Sequence, residues 1–154
     1  MFKEMRRKEK QLPMEATLEI IKNGDYGVLS TVGTDGQPYA VPLNYAYHDG
    51  KIYFHCATDG HKLDNITANP KVSFCVVGDT EIVPKKFTTC FNSAILFGTA
   101  KEMVEEEKET GFLALLNRYC KAHMKTGKKY MTNDWNKTKV YGIEIEHMMG
   151  KAGG

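Results

Sequence analysis

The chain has 154 residues, of which 42% are hydrophobic and 26% charged, with a formal net charge of +2. That balance predicts one domain over 1–154 with enough apolar surface for its own core, and it excludes a disordered chain. No apolar run approaches the roughly 20 residues of a bilayer span, and near-neutral charge gives no reason to expect a nucleic acid or membrane partner.

The opening MFKEMRRKEKQLP is charged and lacks the apolar centre of a secretion signal, so a cytoplasmic location is expected. Arg6, Arg7 and Lys8, with Lys3 and Lys10, are interleaved with Glu4 and Glu9, which predicts a solvated terminal segment, the alternative being a cover over a phosphate site. Pro13 then opens a helix, MEATLEIIKNG, with Met14, Leu18 and Ile21 on one face and Gly24 just past the end. YGVLSTV (26–32) predicts a first strand and GTDGQP a turn. YAVPLNYAY (39–47) is a second strand, HDGK a hairpin turn, and IYFHCA (52–57) a third strand. A short helix over 61–68 stops at Asn69-Pro70, and KVSFCVV (71–77) is a fourth strand. A polar stretch with Pro84 leads into a long fifth strand (87–104), bent near Gly98. The run 105–124 is a helix with an acidic first turn, followed by a loop bearing Trp135 and a sixth strand over 138–148. Six strands joined by short turns and broken by helices predict a mainly β fold, a small antiparallel barrel with helices outside.

The four cysteines (Cys56, Cys75, Cys90, Cys120) show no C-x-x-C spacing and no paired histidines, so no metal framework is expected. Cys56 and Cys75 lie in apolar strand patterns, which predicts buried free thiols in a reducing compartment.

Three features point to a ligand site. On the second strand Tyr39, Val41, Leu43, Tyr45 and Tyr47 share one face, whereas Ala40, Pro42, Asn44 and Ala46 make the other small or polar. Pro42 cannot donate to a ladder, so the strand lies at an edge, and its small face is either a shelf for a flat ring or a solvated surface. In IYFHCATDGHK, Gly60 lets the backbone approach a ligand at a helix N-terminus, and His61 and Lys62 add cationic donors, as a phosphate needs. The alternative is a helix capped by Thr58 or Asp59 with both cations solvated. His55 shares a strand face with Tyr53 and Ala57, opposite Phe54 and Cys56, and lies between these features, either facing a ligand or hydrogen-bonded as a structural strand residue.

The segments MRRKEK, GVLSTVGTDGQPYAVPLNYAYHDGKIYFHCATDGHKLDNITANPKVSFCVVG, FTTCFNSAILFGTA and the closing GKA resemble the pyridoxamine 5′-phosphate oxidase-like superfamily, within it the nitroimidazole-resistance branch. The resemblance covers nearly the whole chain. It implies a split β-barrel homodimer of six strands with flanking helices, binding FMN, in some members FAD, at the subunit interface. It implies ring contacts by Pro42, Leu43 and Asn44, contacts from His55, Cys56 and Ala57, a phosphate site at Gly60, His61 and Lys62, and a polar contact from Ser93. Gly150, Lys151 and Ala152 match a closing motif to which no role is assigned. The oxidase's tryptophan- and arginine-rich C-terminal segment has no counterpart in EIEHMMGKAGG, so pyridoxamine phosphate oxidation is not expected.

Two readings of function follow. One is a flavin-dependent oxidoreductase that reduces small electron-poor acceptors such as nitroimidazoles, with His55 as the candidate proton or hydrogen-bond donor. The other is a flavin-binding storage or sensing protein without turnover. No G-x-G-x-x-G fingerprint indicates tight binding of a nicotinamide donor. Single-strand nucleic acid binding is disfavoured, because the aromatics fall mostly on core-facing positions.

Overall fold

The computed structural model describes residues 2–153. Its strands are β1 (Gln11–Leu12), β2 (Gly27–Val32), β3 (Pro38–Leu43), β4 (Ala46–His48), β5 (Lys51–Cys56), β6 (Lys71–Val83), β7 (Thr88–Met103) and β8 (Lys139–Gly153). The α-helices are α1 (Met14–Asn23), α2 (His61–Ala68), α3 (Glu105–Tyr119) and α4 (Met124–Asn133). All strands belong to one antiparallel sheet in the order β3-β2-β6-β7-β8-β5-β4, with β1 beside β8.

The expected class, an antiparallel split barrel with outer helices, is the one observed, but the sheet has eight strands rather than six. The predicted second strand divides into β3 and β4, the two edges of the sheet, which do not pair with each other. Asn44 and Tyr45 cross between them. Tyr45 leaves the ladder because its ring is drawn into the core. There its hydroxyl donates to the Ile21 carbonyl, and its own N–H donates to the Tyr119 hydroxyl at 3.1 Å. The remaining extra strand, β1, contributes only two residues opposite Gly150 and Lys151.

Two apolar layers hold the sheet. Leu29, Ile52, Phe54, Phe74, Leu96 and Ile143 fill the inside of the barrel. Tyr53, Met103 and Val140 face outward and are covered by Phe112 and Leu116 of α3 and Met131 of α4. Consecutive residues Ile52, Tyr53 and Phe54 are therefore all buried, because strand alternation sends them to two different cores. At Gly111 a Cβ would lie 2.6 Å from Tyr53 and 2.8 Å from Val140, so α3 seats this closely only because that side chain is absent.

The other departures have local causes. On α1 the buried pair is Thr17 and Ile21, while Met14 is 55% exposed. The helix approaches β8 at Gly150, where a Cβ would overlap the Thr17 side chain, so the small pair sets the packed face. This gives the first residue of the closing motif a packing role. β8 also runs on to Gly153 rather than ending at 148. The bend at Gly98 is present: the β7–β8 register shifts between Phe97 and Gly98, and a Cβ there would overlap the Glu144 carbonyl.

The predicted helix 105–124 breaks at Cys120, and α4 occupies the region expected to be a loop. The α4 sequence is polar, but Gly127 settles against Leu116, so α3 supplies the apolar surface that holds it. The polar stretch after Val77 is likewise strand, the outer part of a long β6–β7 hairpin. All four cysteines are unpaired and half-buried rather than fully buried, and partial burial pushes the Cys56 and Cys75 thiols up. Among the described residues, no helix is long and apolar enough to cross a membrane.

Candidate functional site

The small face expected on the second strand is exposed as far as Asn44, just past the end of β3. Ala40, Pro42 and Asn44 are exposed, whereas Val41 and Leu43 pack against the barrel core. Ala46 departs from the predicted face and is buried, because it already belongs to β4. Pro42 stands opposite Val28 on an edge strand, where its missing N–H breaks no ladder on the free side. Leu43 sends its side chain inward, so only its backbone is available to a ligand on the shelf.

Gly60 is the N-cap of α2, at φ 149° with no atom within 4 Å of where a Cβ would sit. Its carbonyl accepts from the N–H groups of Leu63 and Asp64, each at 3.1 Å. No side chain caps the helix, so neither Thr58 nor Asp59 fills the anion-attracting end. The His61 ring stacks on Tyr39 with centroids 4.0 Å apart, tying the start of α2 to the shelf strand. Lys62 is half-buried, and its charge acts on both His55 and Cys56.

His55 stands opposite Val140 on β5, with its ring over Phe112 at 6.2 Å between centroids. It opens on a cavity of about 330 Å³ between the β3–β4 crossing and α3–α4. Asn44 lines the same cavity, together with Phe112, Leu116, Tyr119 and Tyr130. Although His55 is exposed, loss of water beside the apolar wall holds its pKa below the usual imidazole value, and the Lys62 charge lowers it further. The neutral ring is thus favoured in the fold. Relative to an unfolded chain titrating near 6.5, His55 costs nothing above that pH and destabilises progressively as pH falls through its folded pKa. Lys62→Met is expected to raise the His55 pKa without restoring it fully, read from ring-proton shifts against pH. An unchanged pKa would show that the two side chains do not interact.

Residues 13–152 match the family model of pyridoxamine 5′-phosphate oxidase. The chain belongs to this family. No curated protein matches the sequence. Among solved structures, a candidate 5-nitroimidazole antibiotic resistance protein of Bacteroides thetaiotaomicron is 20% identical, with a TM-score of 0.76 over 94% of this chain and 87% of that one. An FAD-binding protein of Mesorhizobium loti is 23% identical, with a TM-score of 0.64 over 94% and 96%. The FAD- and haem-binding protein of Mycobacterium smegmatis is 17% identical, with a TM-score of 0.76 over 94% and 73%. At these identities the likeness concerns the fold.

In this pyridoxamine 5′-phosphate oxidase family chain, the predicted site residues divide into groups. Asn44 and His55 share one cavity, and Lys62 acts on His55 from the start of α2. Cys56 turns the other way, packing against the core with its thiol 3.8 Å from the Lys139 carbonyl, while Ala57 is exposed just past the strand. Ser93 is not beside them in one chain. It lies on β7 between Val77 and Lys151, ten residues from Met103, which is level with His55 through Val140. The sequence reading missed the cavity wall on α3 and α4. A signal existed, since Phe112, Leu115, Leu116 and Tyr119 follow the i, i+3, i+4, i+7 spacing of one helical face. The N-terminal cations support the solvated reading: Arg7 pairs with Glu9 and Lys8 with Glu4 on the surface. Among the described residues, no group of side chains could hold a metal ion.

Proposed function

We propose that this chain is an FMN-dependent oxidoreductase that reduces small electron-poor acceptors, nitroimidazole-type nitro compounds being the first class to test. The observation that carries the reading is one cavity that holds His55 and Asn44, with the Lys62 charge from the uncapped start of α2 acting on His55. The residues fit the group. A phosphate monoester matches the free N–H groups and cation of α2, and a flat ring matches the small face of Ala40, Pro42 and Asn44. Bound flavin would supply the electron transfer, and the protein the binding and the polarity around it.

Each residue then has a task. Gly60 admits the phosphate, Lys62 neutralises it, and Asn44 offers its amide to the ring's polar edge. Phe112 and Leu116 keep water from the acceptor. His55, neutral near pH 7, offers a ring N–H as a hydrogen bond to the acceptor, and the protons taken up on reduction come from solvent.

We extend the proposal to a homodimer with the flavin at the subunit interface. An outward row of Pro42, Val28, Cys75, Ile95 and Met149 runs in register across five strands, and neither α3 nor α4 covers it. Ile95 is 38% exposed and Val77, in the next row, 52%. Two-fold pairing of such a face is the commonest way to bury it.

Heating the purified protein should release FMN, identified by absorbance and chromatography. Anaerobically reduced protein should be reoxidised by a nitroimidazole much faster than by buffer alone. FAD in the supernatant would replace the cofactor, and slow reoxidation by every acceptor would favour the storage or sensing reading. Colourless protein that takes up neither FMN nor FAD overturns the proposal.

A further inference from the structure

The outward face, where Phe2 stacks on Phe97 and His147, ends in an arm. β6 last pairs with β2 at Cys75, and past a bulge after Val77 its residues Thr80–Val83 pair only with Thr88–Phe91 of β7. A two-stranded ribbon is marginal by itself, and only the last residues of β8 support its base, at Phe91. By register, Val77, Ile82 and Phe91 point to the same side as Ile95 and Phe97, so the arm prolongs the apolar face. Ile82 is 73% exposed. At the tip Phe87 is 98% exposed and sits at φ 51°, a left-handed conformation rare for a bulky side chain, just after Lys85 and Lys86.

At its other end the same face stops at a step, where α3 and α4 rise over Met103 and Val140. Beside the step the chain leaves β7 through Val104, 60% exposed, into Glu105, Glu106 and Glu107, around a hollow of about 260 Å³. Lys101 also lines the hollow, as does Glu102, which is paired with Lys139. An overhang and a step at opposite ends of one outward face, crossed between them by the Lys71–Glu146 pair and Thr99, complement each other under a two-fold axis crossing β7. With the axis at Leu96, the tip, nine residues before it, meets the step, nine residues after it. The charges agree with that orientation, two lysines meeting three carboxylates, and disagree with the parallel one, which sets lysines against lysines.

We infer that the arm of one copy lies along the outward face of a second copy of this chain, with Phe87 covering the second copy's Val104 and Lys85 and Lys86 meeting its Glu105–Glu107. The inference rests on the two-copy part of the proposed function and adds the contact that orients the pair. Sedimentation equilibrium of the flavin-loaded protein tests it. Lys85→Glu/Lys86→Glu and Glu106→Lys/Glu107→Lys should each raise the dimer dissociation constant by at least about tenfold, and combining all four changes should restore most of it. Phe87→Asn suits the left-handed backbone better than phenylalanine does, so weaker pairing in that folded variant also supports the contact. A wild-type dimer unaffected by both charge reversals overturns the arm contact and leaves the two-copy reading standing. A wild-type chain that is monomeric at 100 μM, about the level at which a weak pair would still form, overturns both.

Discussion

Lys62→Ala is expected to weaken FMN binding about ten- to hundredfold while leaving riboflavin nearly unaffected. One charge-assisted bond to a phosphate is worth about 1.5–3 kcal/mol, and riboflavin lacks the group that Lys62 would contact. Nothing else about α2 should change, because Gly60 starts the helix through backbone bonds and no side chain caps it. His55→Ala should behave differently. It should keep most of the flavin affinity and slow acceptor reduction, since His55 faces the cavity rather than the helix start. Titrating both ligands against both variants separates these effects. Equal loss of FMN and riboflavin in Lys62→Ala would move the phosphate elsewhere.

Phe54→Ala is expected to cost about 3–5 kcal/mol, a large part of the roughly 5–15 kcal/mol that holds a typical domain. Phe54 is fully buried and stacks on Tyr141 at 5.6 Å, so truncation leaves a cavity that the packed interior cannot collapse to fill. Its neighbour His55 is exposed, and His55→Ala should cost no more than about 1 kcal/mol. Urea unfolding at one fixed protein concentration measures both, with concentration held constant because association would shift the midpoint. A Phe54→Ala variant within 1 kcal/mol of wild type would mean that the barrel interior is not the main core.

The contrast between residues 54 and 55 shows how far local pattern reaches. Two-residue alternation separated Phe54 from His55 correctly, because a strand must send neighbouring side chains to opposite faces. The same rule set out the shelf of Ala40, Pro42 and Asn44, and backbone chemistry marked Gly60 and the bend at Gly98. These features depend on one residue's geometry or on its immediate neighbours, so they could be read before any fold was known.

What the sequence could not decide depends on surfaces that meet only after folding. Tyr45 fits the alternating strand, yet its hydroxyl finds the Ile21 carbonyl and pulls the chain out of the ladder, splitting one predicted strand into two. Thr17 rather than Met14 faces inward because Gly150, distant in sequence, leaves room for it. The polar α4 is held as a helix by Leu116 of α3, and the polar arm is strand because its two halves pair with each other. The residue chemistry of the candidate site, a small-faced strand, an imidazole and a glycine-opened cationic helix start, is legible in the order of the amino acids alone. That Asn44 and His55 share one cavity roofed by α3 and α4 emerges on folding, because long-range packing, not local propensity, sets which elements touch.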